Sequence, residues 1–122
     1  LRVLISDLLF PADLTALAKS VRAGALNASI LQVVSERDIN PPRAGALQLE
    51  DIETGDLRFI EISQAVRDRF EAGVSRLRGM LSHACTVTGV SSTELVAEQC
   101  AGEDGTLDPR PLVAMNMVTP AA

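Results

Sequence analysis

The chain of 122 residues contains no tryptophan or tyrosine, only two cysteines and one histidine, and fewer basic than acidic side chains. With only three phenylalanines it lacks the aromatic platforms on which single-stranded nucleic acids stack. Its formal net charge of −5 argues against the basic surface that nucleic acids and anionic membranes require. Cys85 and Cys100 are too few and too far apart for a disulfide framework or a four-ligand zinc site, so we predict that they are small core residues.

Long apolar runs and targeting signals are also absent from the sequence. No run approaches the roughly 20 apolar residues of a membrane-spanning helix, and no segment resembles a signal peptide. We therefore expect a cytoplasmic protein with no membrane partner in this segment. The length favours a single domain over residues 1–122. Because the chain opens directly on a strand-like run, without a methionine, we expect it to be part of a larger domain.

The stretch Arg2–Asp7 is an apolar run that ends on a hydroxyl, Ser6, and a carboxylate, Asp7. Such a run predicts a strand buried on both faces of a parallel sheet. A second run at Ala28–Val34 predicts a parallel neighbour, and the segment 11–24 between them predicts an amphipathic helix with Pro11 at its first position. Ligands of such sheets bind beyond the carboxyl ends of the strands, which is where Asp7 is placed.

The middle of the chain changes its pattern after a loop predicted at 35–46. Alternating runs at 47–52 and 57–62, around a turn that contains a glycine, predict a β-hairpin with one packed and one solvated face. Ser63 predicts the N-cap of a long helix that reaches about Thr88 and ends at Gly89.

The sequence pattern in the last part of the chain fits more than one type of secondary structure. Thr93–Glu98 suits a third, shorter parallel strand, although a helix over the same residues remains open. Residues 107–118 predict a final short helix, and the tail that follows should fray. Together the elements predict an α/β fold: a partial doubly wound, Rossmann-type parallel sheet with an inserted β-hairpin and flanking helices.

In this order the segments resemble the C-terminal half of a bacterial von Willebrand factor A-like family, known as domain of unknown function number fifty-eight. Its members are commonly encoded beside MoxR-type AAA+ ATPases. The likeness extends to about Leu95. The matching stretches are Val3–Asp7, Leu31–Val34 with Asp38 and Pro42 after it, Leu49–Gly55, and the helix that carries Val66, Arg67 and Phe70.

The resemblance implies a divalent-ion site at the carboxyl edge of the sheet in the complete domain. It places Asp7 on one ligand position, with Ser6 beside it, and these oxygen donors suit Mg²⁺. In such domains the open coordination position binds a carboxylate of a protein partner. The sequence contains no Asp-x-Ser-x-Ser motif, which supplies further ligands in that family. We therefore predict that the site is empty in this chain, with no cofactor.

The function implied is that of a non-enzymatic protein-interaction module that works with a MoxR-type ATPase in the assembly or remodelling of other proteins. The alternative is a fragment of a doubly wound α/β enzyme domain whose catalytic half lies upstream. A third reading is a stand-alone oligomerising domain. Because the strand at 2–6 is central in the family's fold but would be an open edge in this chain, we also expect a homodimer through it.

Several polar residues can be interpreted as structural as well as functional. Asp7 can cap the turn that follows its strand, and Asp38, Asp51 and Glu53 suit turn chemistry better than a docking surface on the hairpin. His83 has no second histidine or other suitably spaced ligand, so we predict a surface or half-buried side chain. None of these residues is predicted to be catalytic.

Overall fold

The apolar runs form a parallel sheet in the computed structural model, which describes residues 1–41, 43–102 and 104–114. The strands are β1 (Arg2–Ser6), β2 (Ala28–Val34), β3 (Gly45–Glu50), β4 (Leu57–Ile62) and β5 (Ser91–Val96). The helices are α1 (Leu14–Arg22), α2 (Glu36–Ile39), α3 (Gln64–Thr88) and α4 (Arg110–Ala114), with a 3₁₀ turn at Ala97–Gln99. Within these described ranges, no helix has the length and apolar character needed to cross a membrane.

Strand β2 lies at the centre of a three-stranded parallel sheet with the order β1, β2, β5. In its register, Ile5 of β1 lies beside Leu31 of β2, and Val33 of β2 lies beside Leu95 of β5. Strands β3 and β4 form a separate antiparallel hairpin. The predicted α/β fold with a parallel sheet and an inserted hairpin is confirmed, and the strand alternative for the segment after Gly89 is the correct one.

The first face of the sheet, which carries Leu4, Ala28 and Ile30, packs against α1 and α3. Ile30 is fully buried there, because it projects from the central strand into the layer between sheet and helices. The helices contribute buried small and aliphatic side chains to this core: Leu14, Ala18, Val21, Leu81, Ala84 and Cys85. Aliphatic packing thus replaces the aromatic core that the composition excludes.

The second face of the sheet is covered over only part of its area. Leu31 and Leu95 are buried there with Cys100, and Leu112 of α4 packs against them. On β1, however, Val3 is 42 % exposed and Ile5 is 64 % exposed. The prediction that β1 is buried on both faces is therefore wrong, because none of the described helices extends over this end of the face.

The first helix begins later than the sequence predicted. Asp13, rather than a residue after Pro11, is the N-cap, and its side chain accepts hydrogen bonds from the backbone N–H groups of Thr15 and Ala16. The carboxylate satisfies backbone donors that have no partner within the helix. Helix α1 therefore starts at Leu14, and Pro11 lies in the irregular segment before it.

Two predictions for the middle of the chain need correction. The predicted loop 35–46 contains the short helix α2, whose capping box pairs Ser35 with Asp38, and β3 already begins at Gly45. The hairpin does not have one well-packed face. Of its two strands only Ile62 is buried, whereas Phe59 is 80 % exposed, because the hairpin lies away from the main sheet.

The last helix is shorter than predicted in the part of the chain that the structure describes. Helix α4 begins at Arg110 instead of Leu107, because Leu107 forms a β-bridge with Ala101. Residues 115–118 of the predicted helix, and the tail after them, lie outside the described residues.

Helix α3 has the boundaries that its capping residues predicted. The Ser63 hydroxyl accepts a hydrogen bond from the Val66 N–H, and Gly89 ends the helix in the left-handed conformation with φ 67°. The Gly89 N–H donates to the carbonyl groups of Cys85 and Thr86. Glycine adopts this backbone conformation without the steric penalty that a Cβ imposes, so the chain turns here from α3 toward β5.

Replacing Gly89 with alanine is expected to lower the free energy of unfolding by about 1 kcal/mol, because the Cβ is strained at this positive φ. The matched control is Gly73→Ala in the interior of the same helix, where nothing lies within 4 Å of the added Cβ. That change should raise the free energy of unfolding by about 0.5–1 kcal/mol through helix propensity. Urea denaturation measures both, and equal signs would contradict the assigned helix end.

Candidate functional site

Asp7 stands directly after β1, at the carboxyl edge of the parallel sheet, and its side chain is exposed. One of its carboxylate oxygens, Oδ1, accepts a hydrogen bond of 3.1 Å from the Leu9 N–H. The neighbouring Ser6 hydroxyl accepts one of 3.1 Å from the Leu8 N–H. Both predicted metal-site residues therefore also have a structural role, since they stabilise the turn that follows the strand.

Leu8 fixes the direction in which the chain leaves Asp7. Its φ is 58°, the left-handed region that leucine rarely adopts, and its side chain is only 2 % exposed. Burial of the leucine side chain offsets the strain of its backbone. The backbone at the end of β1 is thus held in one conformation by a residue whose side chain belongs to the core on the first face.

The side chain of Gln32 connects this turn to the central strand β2. The sequence did not lead us to predict a role for this residue. It is the buried polar side chain of β2, only 3 % exposed, and its Nε2 donates a hydrogen bond of 3.0 Å to the Asp7 carbonyl oxygen. The available signal was the single amide side chain in the run Ala28–Val34, in which Ser29 is the other polar residue. Because a buried amide needs hydrogen-bond partners, such a residue indicates a structural link to a neighbouring loop.

Other carboxylates lie beyond the ends of β2 and β5, at the same edge of the sheet. The Asp38 Oδ2 accepts a hydrogen bond of 2.8 Å from the Ser35 N–H, and the Glu98 Oε2 accepts one of 3.0 Å from the Glu36 N–H. Both carboxylates therefore accept hydrogen bonds from backbone N–H groups at the start of helix α2. Over residues 1–41, 43–102 and 104–114, no three histidine, cysteine or acidic side chains come together as a metal would require.

A cavity of about 220 Å³ lies between α3 and β5, on the first face of the sheet. Gln32, Ser82 and Ser92 line it, and Arg78 and Glu94 lie at its side. The Arg78 guanidinium donates two hydrogen bonds, of 2.7 and 2.6 Å, to the Glu94 carboxylate, and this contact raises the pKa of Arg78. The two charges at the side of the cavity therefore compensate each other, and Leu81 adds apolar surface to its lining.

The remaining candidate residues have the structural roles that were predicted for them. His83 is exposed on α3, whereas Cys85 and Cys100 are buried and unbridged, and burial raises the pKa of the Cys85 thiol. In the hairpin turn, Asp51 accepts hydrogen bonds from the N–H groups of Thr54 and Glu53. These bonds, that of Thr54 first, lower the pKa of Asp51 because they stabilise its ionised form.

Among known protein families, residues 1–79 match the one described as "Protein of unknown function DUF58". The matched segment is more than half of the chain. The chain belongs to the DUF58 family. Its DUF58 region extends from β1 into α3, so membership in the family known as domain of unknown function number fifty-eight is confirmed over residues 1–79. No curated protein and no solved structure matches this DUF58 chain.

Membership in DUF58 places Ser6, Asp7, Leu8 and Gln32 within the matched region. In this DUF58 chain the strands β1 and β2, the turn after β1 and the hairpin all precede the end of the match, whereas β5 and α4 follow it. The candidate site is thus built by the family region, and the cavity beside Glu94 is completed by residues outside it.

Proposed function

We propose that this chain is part of a non-enzymatic protein-interaction module that, when complete, recognises a partner through a divalent ion. The observation that carries the proposal is the exposed carboxylate of Asp7 at the carboxyl edge of a parallel sheet, with Ser6 beside it. Ligands of open α/β sheets bind at this edge. The resemblance to von Willebrand A-like domains adds the expectation that the ion is Mg²⁺.

The donor groups of this chain do not by themselves suit a bound ion. Asp7 and Ser6 supply one carboxylate and one hydroxyl, and Mg²⁺ prefers six oxygen ligands in near-octahedral geometry. The carboxylates of Asp38 and Glu98 are already engaged with backbone N–H groups. We therefore propose a metal role for Asp7 and Ser6 only in a complete domain, where an Asp-x-Ser-x-Ser segment joins them, and none in this chain alone.

A partner protein is also favoured by the apolar side chains that the hairpin exposes. Phe59 is 80 % exposed and Leu57 54 %, and these two side chains lie on the same face of β4. Exposed apolar groups concentrated in this way are typical of surfaces that bind other proteins. By resemblance the proposed partner is a MoxR-type AAA+ ATPase, and the proposed process is the assembly or remodelling of other proteins.

Titration with Mn²⁺, followed by water-proton relaxation, tests the metal part of the proposal. The change is Asp7→Ala, and Asp68→Ala on the exposed surface of α3 is a control with the same loss of charge. In this chain we expect equally weak binding in all three proteins, because the ligands are too few. In a protein that also carries the Asp-x-Ser-x-Ser segment, only Asp7→Ala should abolish tight binding.

Tight binding by this chain alone that Asp7→Ala removes would overturn the expected empty site. Unchanged binding by the complete protein after Asp7→Ala would exclude Asp7 as a ligand. The partner is tested by calorimetric titration with a MoxR-type ATPase encoded beside the parent gene. If association depends on neither the divalent ion nor Asp7, the proposed mode of recognition is wrong.

A further inference from the structure

The fold uses only one end of the buried Gln32 amide. Its Nε2 donates a hydrogen bond to the Asp7 carbonyl oxygen, and because a carbonyl can only accept, the nitrogen of the amide must face Asp7. The other end is the acceptor Oε1, and no group among the described residues donates a hydrogen bond to it. An acceptor on a side chain that is only 3 % exposed needs a partner, so the surroundings of this oxygen indicate what it binds.

The Gln32 amide lines the cavity of about 220 Å³ between α3 and β5. It projects from the first face of the sheet beside Glu94, which is its neighbour in the register of β2 and β5. Helix α3 contributes Arg78, Leu81 and Ser82 on the opposite wall. The volume is that of about seven water molecules in the liquid, so the cavity accommodates a small molecule. Because Gln32 is buried and Ser82 is exposed, the unused acceptor lies at the inner end.

The ion pair at the side of the cavity determines the charge of the ligand. Arg78 and Glu94 are joined at 2.6 Å through two hydrogen bonds. An anion would have to displace Glu94 from the guanidinium, and a cation would have to displace Arg78 from the carboxylate. Either exchange leaves one charge of the pair without its partner. A neutral molecule can instead bond to the N–H groups and lone pairs that the ion pair leaves unused.

The hydrogen-bonding groups around the cavity include both donors and acceptors. Gln32 Oε1 and the Glu94 carboxylate accept, and the Arg78 guanidinium donates. The hydroxyl groups of Ser82 and Ser92 can do either. A ligand hydroxyl also donates and accepts, so several hydroxyls on one small molecule satisfy neighbouring groups of both kinds. A ligand with acceptors alone would leave the Gln32 oxygen without a donor.

We propose that this cavity binds a small neutral polyhydroxylated molecule, a monosaccharide or a polyol, with one of its hydroxyls donating to Gln32 Oε1. Other hydroxyls bond to the ion pair and the serines, and the C–H groups of the ligand cover Leu81. None of the described lining residues is aromatic, so the dissociation constant should be modest, on the order of 1 mM. The site shares no side chain with the proposed metal position at Ser6 and Asp7, and it needs no divalent ion.

Titration of the unmodified, ¹⁵N-labelled chain with D-glucose, and separately with myo-inositol, tests the proposal by NMR. The side-chain NH₂ signals of Gln32 should shift saturably, with half of the change reached at roughly 1 mM of a bound probe. The NH₂ signals of the exposed Gln48 and Gln64 are internal controls and should not change. Acetate and methylguanidinium should leave the Gln32 signals in place, and a chelator should not alter the response to the neutral probes.

Two serine-to-leucine variants on α3 provide the matched comparison. Ser82→Leu should abolish the saturable shift, because the larger side chain fills the cavity. Ser75→Leu, two turns earlier on the same side of the helix and outside the cavity lining, should bind like the unmodified chain. Both substitutions place a good helix former at an exposed position, so both variants should fold, which far-UV circular dichroism checks. Ser92→Ala removes a single hydroxyl and should raise the dissociation constant by about 2- to 10-fold.

The outcomes separate this site from the metal position. Saturable binding of D-glucose or of myo-inositol that Ser82→Leu abolishes would support the proposal, and the probe that binds identifies whether a sugar or a polyol is preferred. No saturable shift of the Gln32 signals with either probe would overturn it, as would a shift that Ser82→Leu leaves unchanged or Ser75→Leu removes. Preferential binding of acetate or methylguanidinium would show that the ligand is charged and would exclude the proposed class.

Discussion

Replacing Ile30 with alanine is expected to lower the free energy of unfolding by about 3–4 kcal/mol. Ile30 is fully buried at the centre of β2, where α1 and α3 pack against the sheet. The substitution removes buried apolar atoms and leaves a cavity between sheet and helices, which packed surroundings fill only in part. Domains of this kind are stable by about 5–15 kcal/mol, so the loss is a large share of the total.

Urea denaturation, followed by circular dichroism, measures this effect. Ile30→Val should lose only about 1 kcal/mol, because it removes a single methyl group. The matched control is Ile52→Ala, whose side chain is 99 % exposed and whose removal should change the free energy of unfolding by less than about 0.5 kcal/mol. Similar losses for Ile30→Ala and Ile52→Ala would show that the core does not lie between β2 and the helices.

The two variants Leu8→Ala and Leu8→Gly are expected to reverse the usual order of alanine and glycine. Leu8→Ala should lower the free energy of unfolding by about 3 kcal/mol, because it empties a buried site while keeping the Cβ at φ 58°. Leu8→Gly removes the same packing but relieves the left-handed strain, which is about 1–2 kcal/mol for a residue with a Cβ. The glycine variant should therefore be the more stable by about 1 kcal/mol.

The matched control for Leu8 is the same pair of substitutions at Leu17, a half-buried leucine of α1 that packs against the same core. In a helix the order should be the ordinary one, with Leu17→Gly about 1 kcal/mol less stable than Leu17→Ala. Thermal or urea unfolding gives both differences. If Leu8→Gly is less stable than Leu8→Ala, the backbone at the end of β1 does not have the left-handed conformation that sets the direction of Asp7.

The parts of the fold that local signals determine could be predicted from the sequence. Helix α3 has both ends where Ser63 and Gly89 predicted them, because capping is chemistry within a few residues of the helix end. Strand β2 matches its apolar run from Ala28 to Val34, since a central strand is buried on both faces whatever surrounds it. The site residues Ser6 and Asp7 were placed at the end of β1 by the same pattern.

The parts that depend on distant neighbours could not be predicted in the same way. The apolar run of β1 looks like that of a central strand, and only the assembled sheet shows that Val3 and Ile5 are exposed. The alternation in the hairpin indicates its strands but not whether another element covers a face, and Phe59 remains exposed. Gln32 required knowledge of its acceptor, the Asp7 carbonyl oxygen, which lies 25 residues earlier.

The order of strands in the sheet has a consequence for how the chain acquires its structure. Strands β1 and β2 are joined by one short helix, but the paired hydroxyls of Ser29 and Ser91 lie 62 residues apart in the sequence. During synthesis the growing polypeptide can close the β1–α1–β2 unit early, whereas the other side of β2 waits for β5 to emerge. Until β5 emerges, the edge of β2 that β5 will pair with has free backbone hydrogen-bonding groups, and unpaired strand edges of this kind favour premature association.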